Sequence, residues 1–408
     1  MQTTDKTETG TGGTDRTGMA DESELLRLAK AGDSRAFDEL AAAYRSELRA
    51  HCYRMLGSVH DAEDALQDAM LRAWKGLSGF AARGTVRAWL YSIATHTALD
   101  LATHRSRREL PVDFGPSAAA GADFDPACID VPWLEPYPDR WLASGAFDHV
   151  ASAPEARYEQ RESIELAFVV ALQNLPPLQR AVLLLREVVG FSTAEISAQL
   201  DTSPQSVNSA LQRARASVRD QRPEMSQQAT LARLGERRTL AIAQQYADAI
   251  ERGDVDALIS MLTADASWSM PPFPTWFQGY EAVRAFLADV ALANTWRHRT
   301  TWANGQLAVG GYLFDEDRGE FVPWVIDVLT FEGERIRAVT AFLAAEAADP
   351  PRNPAWTGGA ELFTRFGLPH AAPDVVGAVG TVGAVGAVAP DDTQLDRRAG
   401  EDRTGERA

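Results

Sequence analysis

The sequence predicts a multidomain protein in which two all-α domains, joined by an acidic linker, are followed by an α+β domain, with disordered termini. Apolar residues recur at the helical period across 21–108 and again across 154–219. Between them, residues 111–153 show no periodicity and are rich in Pro, Gly, Ala and carboxylates. After about residue 231, segments of alternating β-branched and aromatic residues indicate strands.

Composition limits the class of protein before any motif is considered. A chain of 408 residues with 45% hydrophobic content is expected to form two or three globular domains. Its net charge of −17 argues against indiscriminate coating of nucleic acid, because phosphate contacts require local positive charge. With two cysteines, no apolar run of membrane-spanning length and no signal-peptide pattern, we expect a cytoplasmic protein without membrane contact, metal or cofactor.

The first helical domain is predicted over 19–110, behind a tail, 1–18, that we expect to be disordered. Within it, Ser58 is a suitable N-cap for the helix SVHDAEDALQDAMLRAWKGL. The predicted buried stripe of this helix is Ala62, Ala65, Leu66, Ala69, Met70 and Trp74. Its opposite face is polar and mostly acidic, which is typical either of a solvated surface or of a docking surface.

A third helix of this domain, VRAWLYSIATHTALDLATHRSRR, begins after Gly84 and ends in a basic cluster. Residues 83–108 hold five arginines and one aspartate, a local charge of +4 in an acidic chain. The acidic total therefore does not exclude a protein whose basic patches are confined to one region. Trp89 and Tyr91 lie two positions apart on different faces of the helix, so one of them is expected in the core.

The acidic linker, 111–153, carries the opposite charge. Eight Asp and Glu residues lie between Asp113 and Glu155, against Arg140 alone. A long segment without periodicity is either a linker or a functional loop.

The second helical domain, 154–222, contains two short helices separated by two residues. Ser192 and Glu195 have the spacing of a capping box in the first, FSTAEISAQL. In the second, PQSVNSALQRARASVR, the apolar stripe is Val207, Ala210, Leu211, Ala214 and Val218. Two such helices predict a helix-turn-helix, whose second helix can enter a major groove. These residues alone leave an ordinary helical hairpin with a solvated face as the alternative.

The C-terminal domain is predicted over 231–369. An amphipathic helical pair precedes ASWSMP, RTTWANGQLAVGGYLF and PWVIDVLTFEGERIRAVTAFL, which alternate as strands do and contain an Asn-Gly and a Glu-Gly turn. We therefore expect a curved antiparallel sheet packed with helices. The tail, 370–408, is of low complexity and is expected to be disordered.

At this point the sequence resembles a known family. Two stretches resemble regions two and four of a bacterial sigma-70-type RNA polymerase sigma factor of the extracytoplasmic-function (ECF) class: HCYRMLGSVHDAEDALQDAMLRAW and LPPLQRAVLLLREVVGFSTAEISAQLDTSPQSVNSALQRARA. The later motifs MPPFPTWFQG, ANGQ and LFTRFGLP resemble the cone-shaped SnoaL-like (NTF2-like) domain appended to one subgroup. The resemblance covers about 21–369, and it implies a factor that directs transcription initiation at specific promoters, with the C-terminal domain regulating it in cis.

The resemblance implies core RNA polymerase as one partner. By that comparison, the clamp helices of the polymerase dock on the acidic face of the first helical domain. The residues implied are Asp61, Asp64, Gln67 and Asp68. The acidic linker would thread the polymerase cleft that nascent RNA later occupies, where its carboxylates can mimic a polyanion.

Promoter DNA is the other implied partner. The helix that follows Gly84 would melt and capture the −10-type element, with bases or phosphates contacted by Trp89, Tyr91, His96, Thr97, Arg105, Arg107 and Arg108. The second helix of the helix-turn-helix would read the −35-type element with its outer face. The residues of that face are Gln205, Ser206, Asn208, Ser209, Gln212, Arg213 and Arg215.

Some relatives of the C-terminal domain are enzymes that use a buried carboxylate inside an apolar pocket. Candidate pocket residues here are Trp268, Trp276, Trp302, Trp324 and Asp327, with Trp296 and Tyr312 as further walls and Asp265 and His298 as further polar groups. Burial on the strand WVIDVLTF predicts a raised pKa for Asp327. Because a fold does not determine a function, we expect a small-molecule ligand and cis regulation rather than catalysis.

Two alternatives belong to other functional classes. One is a DNA-binding regulator without polymerase contact, and the other is a cyclase or isomerase fused to a regulatory DNA-binding domain. A repressor needs no second domain with an acidic docking face, and it usually dimerises to read symmetric half-sites.

Overall fold

A computed structural model describes residues 22–80, 84–128, 130–142, 154–219, 225–344 and 359–372. It confirms the predicted class: two helical domains followed by an α+β domain. The tails predicted to be disordered, 1–18 and 370–408, lie outside the described residues apart from 370–372. Within the described ranges, none of the helices is both long enough and apolar enough to cross a bilayer.

The first helical domain is built from four helices. They are α1 Glu22–Lys30, α2 Ser34–Leu56, α3 Val59–Gly76 and α4 Val86–His104. Ser58 accepts from the Asp61 amide and starts α3, while Gly57, with φ 68°, ends α2 in the left-handed conformation that glycine adopts most easily. The predicted stripe of α3 is buried, except that Trp74 is half-buried against Phe37.

The described part of the acidic linker is ordered, and it packs against both of its neighbours. Trp133, Leu134 and Tyr137 are fully buried. Bridges pair Glu109 with Trp133, Ala118 with Phe277 and Pro138 with Ala303, so the linker connects the first helical domain to the C-terminal sheet. Burial of these apolar side chains therefore helps to hold the linker in place.

The second helical domain follows, with helices of short or moderate length. They are α5 Pro154–Glu162, α6 Leu166–Gln173, α7 Pro177–Leu183, α8 Thr193–Gln199 and α9 Pro204–Arg219. A π-helical turn, Leu184–Val188, extends α7. The capping box of Ser192 and Glu195 starts α8, as predicted. All five residues of the predicted α9 stripe are buried.

The C-terminal domain wraps helices around one six-stranded sheet. The helices are α10 Gln227–Leu234, α11 Glu236–Glu251, α12 Val255–Met261, α13 Gly279–Phe286 and α14 Gly359–Arg365, and the strands are β1 Leu262–Ser269, β2 Trp276–Gln278, β3 Trp296–Ala303, β4 Gln306–Asp315, β5 Glu320–Glu332 and β6 Arg335–Leu343. The strand order is β2-β1-β6-β5-β4-β3. The expectation of an all-antiparallel sheet was wrong, because β1 and β6 pair in parallel. The alternation of apolar and polar residues within a strand does not show in which direction a partner strand far away in the sequence will run.

Two apolar cores organise the described residues. One lies inside the curve of the C-terminal sheet, between β-strands and the helices α11 and α13. The other runs through both helical domains and continues onto the outer face of the sheet, where it includes Tyr312, Phe342 and Phe363. The helical domains and the C-terminal domain therefore share a core.

Candidate nucleic-acid and polymerase interfaces

Helix α9 presents its polar face to solvent. The hydroxyl of Ser203 accepts from the Ser206 amide and starts the helix, and the buried apolar stripe fixes its rotation against α7 and α8. Exposed side chains on the outer face are Gln205, Ser206, Asn208, Gln212, Arg213 and Arg215, and Ser209 is half-buried. This face has the polarity and the accessibility that entry into a major groove requires.

Arg215 differs from Arg213 in one respect. Its Nε lies 2.9 Å from the Glu187 carboxylate, in an ion pair between two half-exposed side chains. Exposed pairs of this kind contribute little to stability, but the carboxylate competes with any phosphate for the same guanidinium.

The face of α4 predicted to bind DNA is only partly accessible. His96 is exposed, and its Nδ1 lies 2.8 Å from the Ser92 carbonyl. Trp89 is half-buried, with its ring 4.9 Å from that of Phe80. These two side chains lie where a partner can reach them.

Tyr91 and Thr97 are corrections to the predicted DNA contacts. Tyr91 is 3% exposed, and its hydroxyl donates to Glu47 at 3.1 Å. Thr97 is 2% exposed, and its hydroxyl donates to the Ile93 carbonyl one turn back. Both therefore belong to the core, and of the two aromatic residues Trp89 and Tyr91, the tyrosine is the buried one.

The second helical domain covers part of α4. The Phe191 ring packs edge-on against Tyr91 at 5.6 Å. Arg87 stacks on both rings, binds Glu47 through two nitrogens and reaches the Val189 carbonyl at 3.5 Å. These contacts come from residues 189–192 (the Phe191 loop), which lead into the helix-turn-helix. The Phe191 loop thus packs on the helix predicted to capture the −10-type element.

The arginines of the basic cluster that follows α4 are paired with acidic or amide side chains of this chain, although Arg105 and Arg107 are exposed and only Arg108 is largely buried. Arg105 and Arg108 both bind the carboxylate of Asp61, which is 6% exposed. Arg107 bonds Glu109 at 2.5 Å and the Asn174 side chain at 2.7 Å. The prediction of Asp61 as a surface contact for polymerase is therefore corrected in this arrangement, since two arginines predicted to bind phosphate enclose it.

The remaining acidic face of α3 is accessible. Asp64 and Gln67 are exposed, and Asp68 is half-exposed in an ion pair with Arg72 at 2.8 Å. Because α3 is held rigid by its buried stripe, these three side chains keep a fixed spacing. They can meet a basic partner surface without rearrangement of the helix.

Glu135 of the acidic linker is a structural residue that the sequence did not single out. Its carboxylate accepts from the Ser58 hydroxyl and the Val59 amide at 2.9 Å and lies 3.0 Å from His60, at the N-terminus of α3. Burial alone would raise the pKa of Glu135. Hydrogen bonding to His60, together with the charge of Arg108, outweighs burial and lowers that pKa. Such an anion suits the positive end of a helix dipole.

A β-turn of the C-terminal domain joins all the other parts. This turn, residues 303–306 (the Asn304 turn), links β3 to β4. Asn304 is fully buried, its φ is 54°, and its side chain donates at 2.8 Å to the Tyr53 hydroxyl and to the Ile164 carbonyl. It also exchanges two 2.8 Å bonds with the backbone of Tyr137. The Asn-Gly pair predicted the turn, but no local signal predicted its partners.

A cavity of about 350 Å³ lies inside the curve of the C-terminal sheet. Trp268, Trp324 and Asp327, predicted as pocket residues, line it, together with Trp296 and His298. Trp276 and Trp302 were predicted wrongly. The indole of Trp276 instead donates to the Gly115 carbonyl of the linker, and Trp302 is half-buried against the same core without lining the cavity. Tyr312 faces the opposite side of the sheet and packs on Phe363.

The polar end of the cavity holds a carboxyl and an imidazole. Burial raises the pKa of Asp327 to about 7, although the hydrogen bond from Tyr246 at 2.9 Å opposes this shift. Burial lowers the pKa of His298, against the pull of Glu251, so the imidazole is neutral at pH 7. Asp265 is exposed on β1 and takes no part in this site.

Comparison with protein families agrees with this architecture. The profile of sigma-70 region 2 matches residues 40–108, and that of sigma-70 region 4 matches residues 165–218. The profile of the SnoaL-like domain matches residues 243–339. Each profile falls on one of the three domains built above.

Several individual relatives are ECF sigma factors. SigG of Mycobacterium tuberculosis, an ECF RNA polymerase sigma factor, is 39% identical over 330 residues, which cover 80% of this chain and 82% of SigG. SigW of Bacillus subtilis, another ECF sigma factor, is 28% identical over 48% of this chain and 94% of SigW. The crystal structure of the M. tuberculosis ECF sigma factor SigJ aligns at 20% identity with a TM-score of 0.48, over 77% of this chain and 99% of that one.

Proposed function

This chain belongs to the ECF RNA polymerase sigma factors, and we propose that its SnoaL-like domain regulates it in cis by fastening the two sigma domains and their linker in a closed arrangement. The family acts in transcription initiation, by binding RNA polymerase and promoter DNA. Membership decides against a DNA-binding regulator that makes no contact with polymerase.

The exposed face of α9 supports recognition of the −35-type element. Gln205, Ser206, Asn208 and Ser209 lie in its first turns, where the side chains of a recognition helix meet base edges. Arg213 and Arg215 follow further along and suit the phosphate backbone. We assign base reading to the first group and positioning to the second.

Polymerase binding is assigned to Asp64, Gln67 and Asp68 on α3. A surface with fixed carboxylates favours rapid and correctly oriented association with a basic partner surface. Asp61 joins this surface only after Arg105 and Arg108 release it. The same release frees the two arginines for phosphates of the −10-type element, so both predicted roles require one rearrangement.

One observation carries the regulatory proposal. The Asn304 turn bonds to Tyr53 of the first helical domain, to Tyr137 of the linker and to Ile164 of the second helical domain, between α5 and α6. All of these bonds are buried, where an unpaired polar group is costly. In the closed arrangement that these bonds stabilise, the Phe191 loop packs on α4, and Trp133, Leu134 and Tyr137 of the linker are buried.

Initiation requires a different arrangement. The linker cannot thread a polymerase cleft while Trp133, Leu134 and Tyr137 are buried against this protein's own domains. Opening therefore subtracts from the free energy of polymerase binding, and a protein that must open first has a reduced apparent affinity. We propose ligand sensing rather than catalysis for the domain, since its fold alone specifies no chemistry.

Substitution of Asn304 by Ala tests the proposal. The variant loses the buried bonds that join three parts of the chain, so the closed arrangement becomes less favourable. With purified core polymerase at limiting concentration, on a promoter selected from a library by the wild-type protein, we expect Asn304→Ala to yield more run-off transcript. Gln244→Ala is the matched control, because among the described residues this exposed amide bonds within α11 alone, to Asp248.

The reverse result is equally informative. If Asn304→Ala stays folded by circular dichroism and initiates no better than the Gln244→Ala control, the turn does not restrain initiation. Cis regulation by closure would then be wrong, while the assignment to the sigma family would stand.

A further inference from the structure

We propose that Phe124 of the acidic linker forms one wall of the ligand site in the SnoaL-like domain, so that an uncharged, largely apolar ligand bearing one hydroxyl group holds the linker in its docked position. This inference rests on the proposed regulatory function. It adds the chemical class of the ligand and the sign of its effect.

Residues 115–128 of the linker are docked on the segment that leads into β2. The docking bonds run from the Ala118 amide to the Trp276 carbonyl (2.7 Å), from the Trp276 indole to the Gly115 carbonyl (3.0 Å), from the Asp125 amide to the Thr275 hydroxyl (2.9 Å) and from the Cys128 amide to the Pro272 carbonyl (3.0 Å). These bonds occur on both sides of Phe124 in the sequence, so its position is fixed from both directions.

Phe124 lies in an aromatic cluster at the cavity. Its ring centroid is 5.9 Å from that of Phe273, 5.5 Å from that of Phe277 and 5.7 Å from that of Phe286. It also lines the cavity, with Trp268 and Trp324 from the sheet. A residue of the sigma linker therefore completes a site whose other lining residues lie in the SnoaL-like domain.

The sign of the coupling follows from the space that remains. With Phe124 in place the cavity still holds about 350 Å³, and pockets of roughly 300 Å³ and above accommodate small organic ligands. A ligand of that size needs no displacement of Phe124. It gains contact area with the ring and binds the docked linker more tightly than the undocked one.

The polar groups define the chemical class. Asn294, His298 and Asp327 are the polar side chains of the lining, and the His298 Nδ1 lies 3.6 Å from the Glu251 carboxylate, too far for a full hydrogen bond. A ligand anion or ammonium would lose its water shell in this apolar lining, and the same burial that raises the pKa of Asp327 leaves that carboxyl a poor counter-ion for an ammonium. A neutral hydroxyl is desolvated at far lower cost, and it can both donate and accept at the polar end.

Linkage gives the consequence for initiation. If docking of the linker increases ligand affinity by some factor, the ligand increases the docking equilibrium by the same factor. A bound ligand thus opposes the release of the linker that polymerase requires. The ligand therefore stabilises the closed arrangement.

The test titrates the full-length protein with four fluorescent naphthalenes that differ only in one substituent: naphthalene, 2-naphthol, 2-naphthoate and 2-(aminomethyl)naphthalene. We expect 2-naphthol to bind most tightly. Phe124→Ala should weaken 2-naphthol binding about fivefold, the usual effect of losing one aromatic contact, and Phe124→Leu should lie between. Phe114→Ala is the matched control, because Phe114 is also in the linker but stacks on Trp133 away from the cavity.

Hydrogen exchange supplies the second readout. In the wild-type protein, saturating 2-naphthol should slow exchange of the Ala118, Asp125 and Cys128 amides, which bond to the SnoaL-like domain only when the linker is docked. In Phe124→Ala this added protection should disappear, while the Phe114→Ala control keeps it.

Several outcomes would overturn the inference. Equal 2-naphthol affinity in wild type and Phe124→Ala would remove Phe124 from the site, and faster exchange of the linker amides on binding would reverse the sign. Tightest binding by the ammonium or the carboxylate, or saturable binding by none of the probes, would overturn the ligand class. Polymerase takes no part in these measurements, so their failure is separable from a failure of the Asn304→Ala transcription test.

Discussion

Helices α4 and α9 are both assigned to promoter DNA, yet the structure treats them differently. On α9 the outer face is open from Gln205 to Arg215, apart from the half-buried Ser209. On α4, Tyr91 and Thr97 are buried, the Phe191 loop covers the part of the helix around Tyr91, and two of the three arginines that follow the helix bind Asp61. One DNA-binding surface is ready for use and the other must first be uncovered.

This difference indicates which step is regulated. Under the proposed function, binding of a duplex −35-type element needs no change in the closed arrangement, whereas capture of a melted −10-type element does. A factor of this kind can reject premature melting while keeping its duplex-reading surface accessible. The predictions below alter the pairing of the arginines that follow α4, the contact of the linker with the Asn304 turn, and the outer face of α9.

The largest effect is expected from Asp61→Ala. This substitution removes a buried carboxylate that compensates Arg105 and Arg108, and breaking such a pair costs about 3 kcal/mol. Urea unfolding should show this loss of stability. Affinity for duplex DNA of arbitrary sequence should rise in the same variant, because the two guanidiniums become available to phosphates.

Asp64→Ala is the matched control for Asp61→Ala. Asp64 lies one turn further along α3 and is exposed, so its loss should change stability by less than about 0.5 kcal/mol. It should, however, weaken binding to core polymerase. Should Asp61→Ala be as stable as Asp64→Ala, or should it bind DNA no better than wild type, the pairing of Asp61 with Arg105 and Arg108 would have no energetic significance.

A smaller effect is expected from pH, through Asp139 of the linker. Its carboxylate accepts from the Gly305 amide of the Asn304 turn at 2.7 Å, and burial raises its pKa to about 6 in the closed arrangement. A raised pKa means that the stabilising contribution is complete below about pH 4 and is lost as pH rises through 6. Between pH 5 and pH 7 the closed arrangement should weaken by about 1 kcal/mol.

Amide protection factors, corrected for intrinsic exchange, measure this directly. Protection in α4 and at Tyr137 should fall with rising pH, whereas protection in α9 should not follow it. The dependence of these protection factors on pH should vanish in Asp139→Asn, because the asparagine keeps an acceptor for the Gly305 amide and cannot ionise. An unchanged slope in that variant would assign the pH dependence to another group.

The sequence predicted the elements much better than their contacts. Period and caps located α3, α8 and α9, because each helix is specified by residues within a few positions of one another, such as Ser192 and Glu195. The Asn-Gly pair likewise predicted the Asn304 turn. The partners of that turn, Tyr53, Tyr137 and Ile164, lie 140 to 251 positions away in the chain, and local patterns contain no information at that range.

The same distinction between local patterns and long-range contacts applies to the candidate sites. Surface residues of α9 were identified correctly as exposed, since exposure follows from the apolar stripe on the other side of the helix. Asp61 was assigned to the polymerase-binding surface because it lies on the acidic face of α3 that the family resemblance implies for docking, and neither signal reveals that Arg105 and Arg108 bind it. Trp276 was assigned to the cavity because it is aromatic, whereas its indole is needed to hold the linker.

The smallest effect is expected within α9 itself, between Arg213 and Arg215. Each arginine that neutralises one phosphate adds about 0.9 to the slope of log affinity against log salt concentration. Arg213→Ala should lower that slope by about one on duplex DNA of arbitrary sequence, measured by fluorescence anisotropy. Arg215→Ala should lower it less, because Arg215 must first leave Glu187.

Repeating both arginine substitutions in a Glu187→Gln variant tests whether the ion pair causes this difference. Without the carboxylate, Arg215 no longer exchanges one anion for another, so Arg215→Ala should then lower the slope as much as Arg213→Ala does. If the two arginines already differ by nothing in the wild-type background, the ion pair does not restrain Arg215. The open face of α9 would then have no internal competitor for phosphate, and all of the restraint on DNA binding would lie at α4.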